Sequence, residues 1–266
     1  MITIKSAREI ETMARAGRIV AETLALVRAK AVPGISTGEL DRIAEDFIRS
    51  HDGATPSFKG LYGFPATLCT SINAEVVHGI PSRKRILKDG DIVSVDCGVC
   101  IGGLHGDSAI TVPVGQVSAK VKALLEITQR ALVAGIAAAR GGNQVGDIGH
   151  AVQGVAEPEG YGVVRELVGH GIGTQFHEEP QVPNFGRPHT GARLVPGMTI
   201  AIEPMVNLGT RDVRTLGDRW TVVTGDGSLS AHFEHTVAIT SGDARVLTMA
   251  PQEAAVANGR QELLRQ

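Results

Sequence analysis

No apolar run in the chain reaches the ~18 residues that a membrane-spanning helix requires. The opening residues, Met1-Ile2-Thr3-Ile4-Lys5, lack the apolar core of a secretory signal. Both absences lead us to expect a cytoplasmic protein with no membrane partner. Cysteine is scarce: Cys69, Cys97 and Cys100 are the three among 266 residues. An odd, small number fits a reducing compartment better than a disulfide framework. Cys97 and Cys100 form a C-x-x-C, but inside a run, Ile92 to Ile101, that reads as a strand. Positions three apart on a strand face opposite sides, so two packed thiols are expected rather than a redox or zinc pair. Charge of one sign is also lacking, with a formal net charge of -2. We therefore expect no nucleic acid and no anionic surface as principal partner. No linker or low-complexity stretch divides the chain, which reads as one domain over 1–266.

Regular punctuation is present. Ser6-Ala7-Arg8-Glu9 is a capping-box pattern, and Ile10, Met13, Ile19, Val20, Leu24 and Val27 follow near helical spacing. Pro33-Gly34 ends that helix. Ser36-x-x-Glu39 begins a second one, with Leu40, Ile43 and Phe47 expected on its apolar face. Strand-like runs follow at 68–72, 76–77, 92–101 and 109–114. The order then repeats: a long helix over 117–140, a Gly-rich break, a shorter helix from about Val145, and strand-like runs at 163–168, 198–206, 220–223 and 232–240. The two breaks align at one offset. Gly34-x-x-x-Gly38-Glu39-Leu40 matches Gly142-x-x-x-Gly146-Asp147-Ile148, and Phe47 falls on Val155. This favours a duplicated architecture with halves at about 4–115 and 117–248. Each half would lay helices on one face of its strands, and the strands would join into one sheet, concave between the halves. The tail, 250–266, is polar and expected to be loosely held.

Five residues carry chemistry. Asp96 interrupts the apolar strand Ile92-Val93-Ser94-Val95, and Asp107 follows His105-Gly106. Glu203 lies in Ile200-Ala201-Ile202-Glu203-Pro204, Glu234 in His232-Phe233-Glu234-His235, and His170 in Gly169-His170-Gly171. Any one of these acids alone reads most simply as a solvated strand-face carboxylate. Several on separate apolar runs read differently, because a carboxylate in apolar surroundings needs a polar face, a partner or a cation. Four converging carboxylates would repel one another unless cations intervened. Four carboxylates and one imidazole suit two divalent ions, Co, Mn, Fe or Zn. Such ions lower the pKa of a water held between them and yield hydroxide at neutral pH. His78, at a strand end before Gly79, and His177, seven residues after His170, are placed for chemistry; a structural histidine is the plain alternative for His78. His232 and His235, which flank Glu234, are expected to point away from it.

With these segments in view the chain resembles the type I methionine aminopeptidases. The resemblance runs from about Ser6 to Thr248. It is carried by Ser71-Ile72-Asn73 through Val77-His78-Gly79-Ile80-Pro81, and by Asp96 with His105-Gly106-Asp107. The remaining segments are Gly169-His170-Gly171-Ile172-Gly173, His177-Glu178-Glu179-Pro180, Ile202-Glu203-Pro204-Met205 and Glu234-His235-Thr236. It implies a pita-bread fold of α+β class: two pseudo-twofold halves with a curved antiparallel sheet covered by helices. It implies removal of the initiator methionine from N-terminal methionyl peptides and nascent chains, with small second residues preferred. Asp96 would chelate one metal, His170 and Glu203 would ligate the other, and Asp107 and Glu234 would bridge. His78 and His177 would contact substrate, and Glu203 would also shuttle protons. Cys69, Phe64, Phe176 and Trp220 would line the methionine pocket with Leu61 nearby, where the family usually has an aromatic residue. By analogy the protein is expected to be a monomer, and contact with the ribosome is left open.

Two rival readings share much of this pattern. Proline-directed relatives share the metal ligands but usually carry an additional N-terminal domain. Non-catalytic members of the fold have lost ligands, whereas all five are present here.

Overall fold

The computed structural model describes residues 1–249. The tail expected to be loosely held, 250–266, lies outside the described residues. Helix α1 (Ala7–Lys30) begins at Ser6, whose hydroxyl accepts from the Glu9 amide while the Glu9 carboxylate accepts from the Ser6 amide. This reciprocal cap satisfies two orphan donors of the first turn. Helix α2 (Thr37–Arg49) follows, capped by Ser36. Its buried stripe is Leu40, Ala44 and Ile48, while Ile43 and Phe47 are only half-buried. The expected face is thus rotated by one residue, because Phe47 turns outward to pack edge-on against His51 at 4.8 Å.

Strands β1 (Ala54–Pro56), β2 (Leu68–Ile72), β3 (Glu75–Val77), β4 (Ile92–Ile101) and β5 (Leu104–Pro113) complete the first half. The second half opens with α3 (Ala119–Ala138) and α4 (Val145–Ala156). Its strands are β6 (Gly162–Val163), β7 (Gly169–Gly171), β8 (Glu178–Val182), β9 (Thr199–Ile202), β10 (Met205–Asn207), β11 (Val213–Thr215), β12 (Val222–Thr224), β13 (Ser230–His232), β14 (His235–Ala238) and β15 (Arg245–Val246).

The two helix-pair turns are built alike. Gly34 and Gly142 both adopt left-handed backbone, at φ 95° and 97°, where a side chain would be strained. The Gly34 amide donates to Leu87 O and the Gly142 amide to Leu194 O, at 2.8 and 2.9 Å. Gly38 and Gly146 each sit against backbone, so that an added Cβ would lie 2.7 Å from Arg83 N and 2.3 Å from Arg187 O respectively. The glycine pattern that aligns in sequence therefore answers the same steric need twice.

All strand pairings are antiparallel. Among the described residues the ladders form four hydrogen-bonded sheets rather than the one continuous sheet expected: β1-β4-β2 with β5 on β4, β13-β10-β6, β11-β12-β3, and β15-β14-β9-β7-β8. The breaks fall at chemically marked places. The run at 198–206 splits at Glu203-Pro204, where proline has no amide to give the ladder, and the run at 232–240 splits at Phe233-Glu234. Of the run at 163–168 only Val163, the end of β6, is strand.

Each half has its own apolar core between helices and strands. One gathers Val20, Leu24, Leu40 and Ile48 against Val93, Val95 and Val99; the other gathers Leu124, Leu132 and Ile148 against Ile200, Ile202 and Val237. A third cluster, with Phe58, Phe64, Cys69, Ile172 and Phe176, lies where the halves meet. Cys97 is buried and Cys100 half-buried, and neither is disulfide-bonded. Among the described residues no helix is long and apolar enough to cross a membrane.

Candidate metal centre

Strand alternation aims the first two carboxylates. On β4 the odd-numbered residues Val93, Val95, Cys97, Val99 and Ile101 pack into the helix-side core. Ser94, Asp96 and Gly98 therefore face the other way. On the adjacent β5, Asp107 pairs with Gly98 and Ala109 with Asp96. Asp96 and Asp107 are thus diagonal neighbours on one face, close enough for a protonated Asp107 to donate to Asp96.

The other half delivers its ligands where ladders break. Glu203 follows β9 and Glu234 precedes β14. Asn184 donates to Glu203 O at 3.0 Å and holds that turn. The seam joining Glu234 to β5 is stapled by backbone. The Glu234 amide donates to Ala109 O at 2.9 Å. The Asp107 amide donates to Thr236 Oγ1 at 3.0 Å, and the Thr236 hydroxyl donates to Asp107 O at 2.8 Å.

His170 on β7 completes the cluster. Its Nδ1 lies 2.8 Å from Gly171 O, so Nδ1 carries the proton and the Nε2 lone pair faces the carboxylates. Nε2 is 3.8 Å from Asp107 Oδ2 and 3.7 Å from Glu203 Oε1. Ligand atoms of Asp107, His170 and Glu234 lie within 4.8 Å of one another, close enough to share an ion.

The electrostatics are those of a cation site. Burial, together with the neighbouring acids, holds the Asp107, Glu203 and Glu234 carboxyls well above the usual carboxylate range. Burial pushes Asp96 up to about 7, although the hydrogen bond from Asp107 opposes the shift. Burial also pulls His170 and His78 down to about 4, with His177 adding to both, so both rings are neutral at pH 7. Asp96 Oδ1, Asp107 Oδ1 and Glu234 Oε1 are buried with no hydrogen-bond partner among the described residues. Buried carboxylate oxygens are rarely left so. Divalent cations would satisfy them and reverse the upward shifts, so the donor set fits metal ions of the hard to borderline class.

The cluster floors a cavity of about 150 Å³, lined by Leu61, Phe64, Cys69, Phe176 and Trp220 together with His78 and His177. Every residue expected from the sequence to ligate metal or line a pocket therefore borders this one space. Gly98 keeps it open: a Cβ there would lie 2.9 Å from the Phe58 ring and 3.0 Å from the Phe176 ring. His78 sits at the end of β3 in left-handed backbone, φ 59°. Strain of this kind in a non-glycine residue persists where surroundings enforce it. Here the following Gly79 is pinned, its carbonyl accepting from the Thr70 amide at 2.7 Å. His177 stands at the rim, its ring 4.4 Å from that of His170 and 4.9 Å from that of Phe176.

Two residues differ from the sequence reading. Tyr62 lines the cavity and stacks on His177, with ring centroids 5.8 Å apart and planes 16° apart. The aromatic group expected at Leu61 is thus supplied by its neighbour, held in left-handed backbone at φ 52°. The flanking Gly60 and Gly63 were the available signal for an irregular turn. His232 was expected to point away from Glu234 but turns toward it, its Nε2 3.9 Å from Glu234 Oε2. Residues two apart on an extended chain share a face, so the expectation misread the period. His235, one residue after Glu234, does face away, with Nδ1 2.9 Å from Thr248 Oγ1.

The comparisons with known proteins agree with this geometry. Residues 11–241 match the model of metallopeptidase family M24. Among curated proteins, the methionine aminopeptidase of Clostridium perfringens is 55% identical, covering 94% of this chain and 99% of its own length. Methionine aminopeptidase 1 of Bacillus subtilis is 54% identical over 93% of this chain and 99% of its own. Among solved structures, the methionine aminopeptidase of Rickettsia prowazekii superposes with TM-score 0.91 at 42% identity, covering 94% of this chain and 100% of that one. The Xaa-Pro dipeptidase of Bacillus anthracis reaches TM-score 0.74 at 25% identity, and this chain spans 62% of its length. The chain belongs to metallopeptidase family M24. It has the pita-bread fold of that family's aminopeptidases and prolidases.

Proposed function

We propose that this protein is a metal-dependent aminopeptidase that removes the N-terminal methionine from peptides and nascent proteins. The observation that carries the reading is the meeting of four carboxylates, Asp107 and Glu234 buried and Asp96 and Glu203 half-buried, with one buried imidazole at a small cavity lined by apolar and aromatic side chains. Asp96, Asp107, His170, Glu203 and Glu234 would hold two divalent ions. The ions would supply a hydroxide nucleophile at neutral pH and polarise the scissile carbonyl.

The protein side chains do the rest. Phe64, Cys69, Phe176 and Trp220, with Leu61 and Tyr62 at the mouth, surround an unbranched thioether without offering it a charge. A cavity of about 150 Å³ admits one side chain and no more. His78 and His177, uncharged and each able to donate one N–H, would orient the substrate backbone and steady oxyanion charge as it develops. Glu203, whose carboxyl is raised by burial, can carry a proton from nucleophile to leaving amine. Identities of 45–55% to methionine aminopeptidases leave a proline-directed or non-catalytic role unfavoured.

The test is release of methionine from a Met-Ala-Ser peptide, with and without a chelator, across manganese, iron, cobalt and zinc. Asp96→Asn and His170→Ala should each abolish metal-dependent release. Normal turnover by either variant would overturn the ligand assignment.

A further inference from the structure

His232 is not among the ligands assigned above, yet it is among the most enclosed polar side chains in the molecule. Its side chain is 2% exposed, and neither ring nitrogen has a hydrogen-bond partner among the described residues. An imidazole so buried calls for a polar neighbour; a phenylalanine would fill the space without leaving nitrogens unpaired.

The ring is where it is because its backbone is fixed. The His232 amide donates to Thr111 Oγ1 at 2.8 Å, and the Thr111 hydroxyl donates to His232 O at 2.9 Å. Met205 pairs with His232 across β10 and β13. From this anchor Nε2 reaches to 4.0 Å from Glu203 Oε2 and 3.9 Å from Glu234 Oε2. A carboxylate rotation of under about 1 Å brings either contact to ordinary hydrogen-bond length. The two glutamates are addressed selectively. Glu203 shows Oε2 to His232 and Oε1 to His170, 3.7 Å away. Glu234 shows Oε2 to His232 and leaves Oε1 buried and unpartnered.

We propose that His232 is a positioning residue which donates its Nε2–H to the Oε2 atoms of Glu203 and Glu234, reserving their Oε1 atoms for the metal ions. The inference rests on the metallopeptidase reading of the site. Partners of this kind orient metal-ligating carboxylates, and their loss costs about 10–100-fold in metal affinity. In this role a glutamine, which also donates an N–H, can substitute; a group of equal volume without a donor cannot.

The test uses the full chain freed of metal by a chelator and titrated with cobaltous ion by calorimetry, alongside visible absorption spectra of the loaded protein. His232→Phe, which keeps ring volume and fold, should bind cobalt about 10–100-fold more weakly and show an altered ligand-field spectrum. His232→Gln should restore both affinity and spectrum. Wild-type affinity and spectrum in His232→Phe would overturn the proposal. So would a His232→Gln as impaired as His232→Phe, since that result would require the imidazole itself. Wild-type protein that binds no cobalt would overturn the metallopeptidase reading, and this inference with it.

Discussion

Gly98 lies on the site face of β4, opposite Asp107, and replacing it by alanine tests how tightly pocket and metal floor are coupled. The new Cβ would lie 2.9 Å from Ser57 Cβ, 2.9 Å from the Phe58 ring and 3.0 Å from the Phe176 ring. Ordinary carbon contacts lie at about 3.5–4.0 Å, so three groups must each retreat by roughly half an ångström or more. None of the three is the end of a flexible chain. Phe58 and Phe176 pack edge-to-face at 5.2 Å, and Phe176 also abuts His170 and His177 at 5.5 and 4.9 Å. Overpacking of this kind costs about 1–3 kcal/mol. For a domain of this size that lowers Tm by about 2–12 °C, at about 2–4 °C per kcal/mol. The displaced rings also crowd a cavity of only about 150 Å³. Misplacement of binding groups by 1 Å can cost about 10²-fold, so kcat/KM on a methionyl peptide should fall by about tenfold or more. Metal stoichiometry should not change, because Asp96 and Asp107 keep their strand positions. Thermal melts of the metal-loaded protein, peptide kinetics and metal analysis read the three arms. An alanine variant with wild-type Tm and kcat/KM would refute the packing argument; one that loses metal would mean the strands themselves had shifted.

His78→Ala should depress kcat strongly with metal content unchanged, measured by peptide turnover beside elemental analysis; lost metal would contradict its substrate-facing role. Lys5 and Glu178 form an ion pair with side chains 5% and 6% exposed. Lys5→Met removes the charge partner and leaves the carboxylate only the Thr3 hydroxyl and Gln175 amide as donors; it should cost up to about 3–5 kcal/mol, read as a lower urea midpoint, and a change under about 1 kcal/mol would show that those donors and water suffice. Metal binding should release protons, and more at pH 6 than at pH 8. A carboxyl raised to about 7, as Asp96 is in the metal-free site, is protonated below that pH and must give up its proton to bind a cation. Calorimetry in buffers of different ionisation enthalpy counts those protons, and a count independent of pH would contradict the shift.

Most of the site was legible because each ligand breaks a local rule. A carboxylate amid Ile92, Val93 and Val95, or after Ile200-Ala201-Ile202, has no apolar reason to be there, and an outside cause can be argued from sequence. The paired glycines were legible for a related reason: 34 and 142 demand left-handed backbone that side chains resist, and 38 and 146 leave no room for a Cβ. The rest depends on tertiary contacts or on the two-residue period of extended chain. The α2 stripe shifted because Phe47 found His51. Tyr62 took the place expected of an aromatic at 61 through a backbone angle with no marker but its flanking glycines. His232 could have been found, since two residues along an extended chain return to the same side. The breaks at Glu203-Pro204 and Phe233-Glu234 interrupt runs whose apolar residues continue on both sides, so the hydropathy pattern showed no gap.

The backbone staples between β5 and the Glu234 segment carry a consequence for how the protein is assembled. Asp96 and Asp107 come from one half of the chain; His170, Glu203 and Glu234 come from the other. Neither portion alone can enclose a cation, so an ion captured here certifies that both portions have closed on each other. Once captured it acts as a clasp across their boundary. Metal starvation should therefore loosen this boundary first, leaving the two separate cores on either side intact.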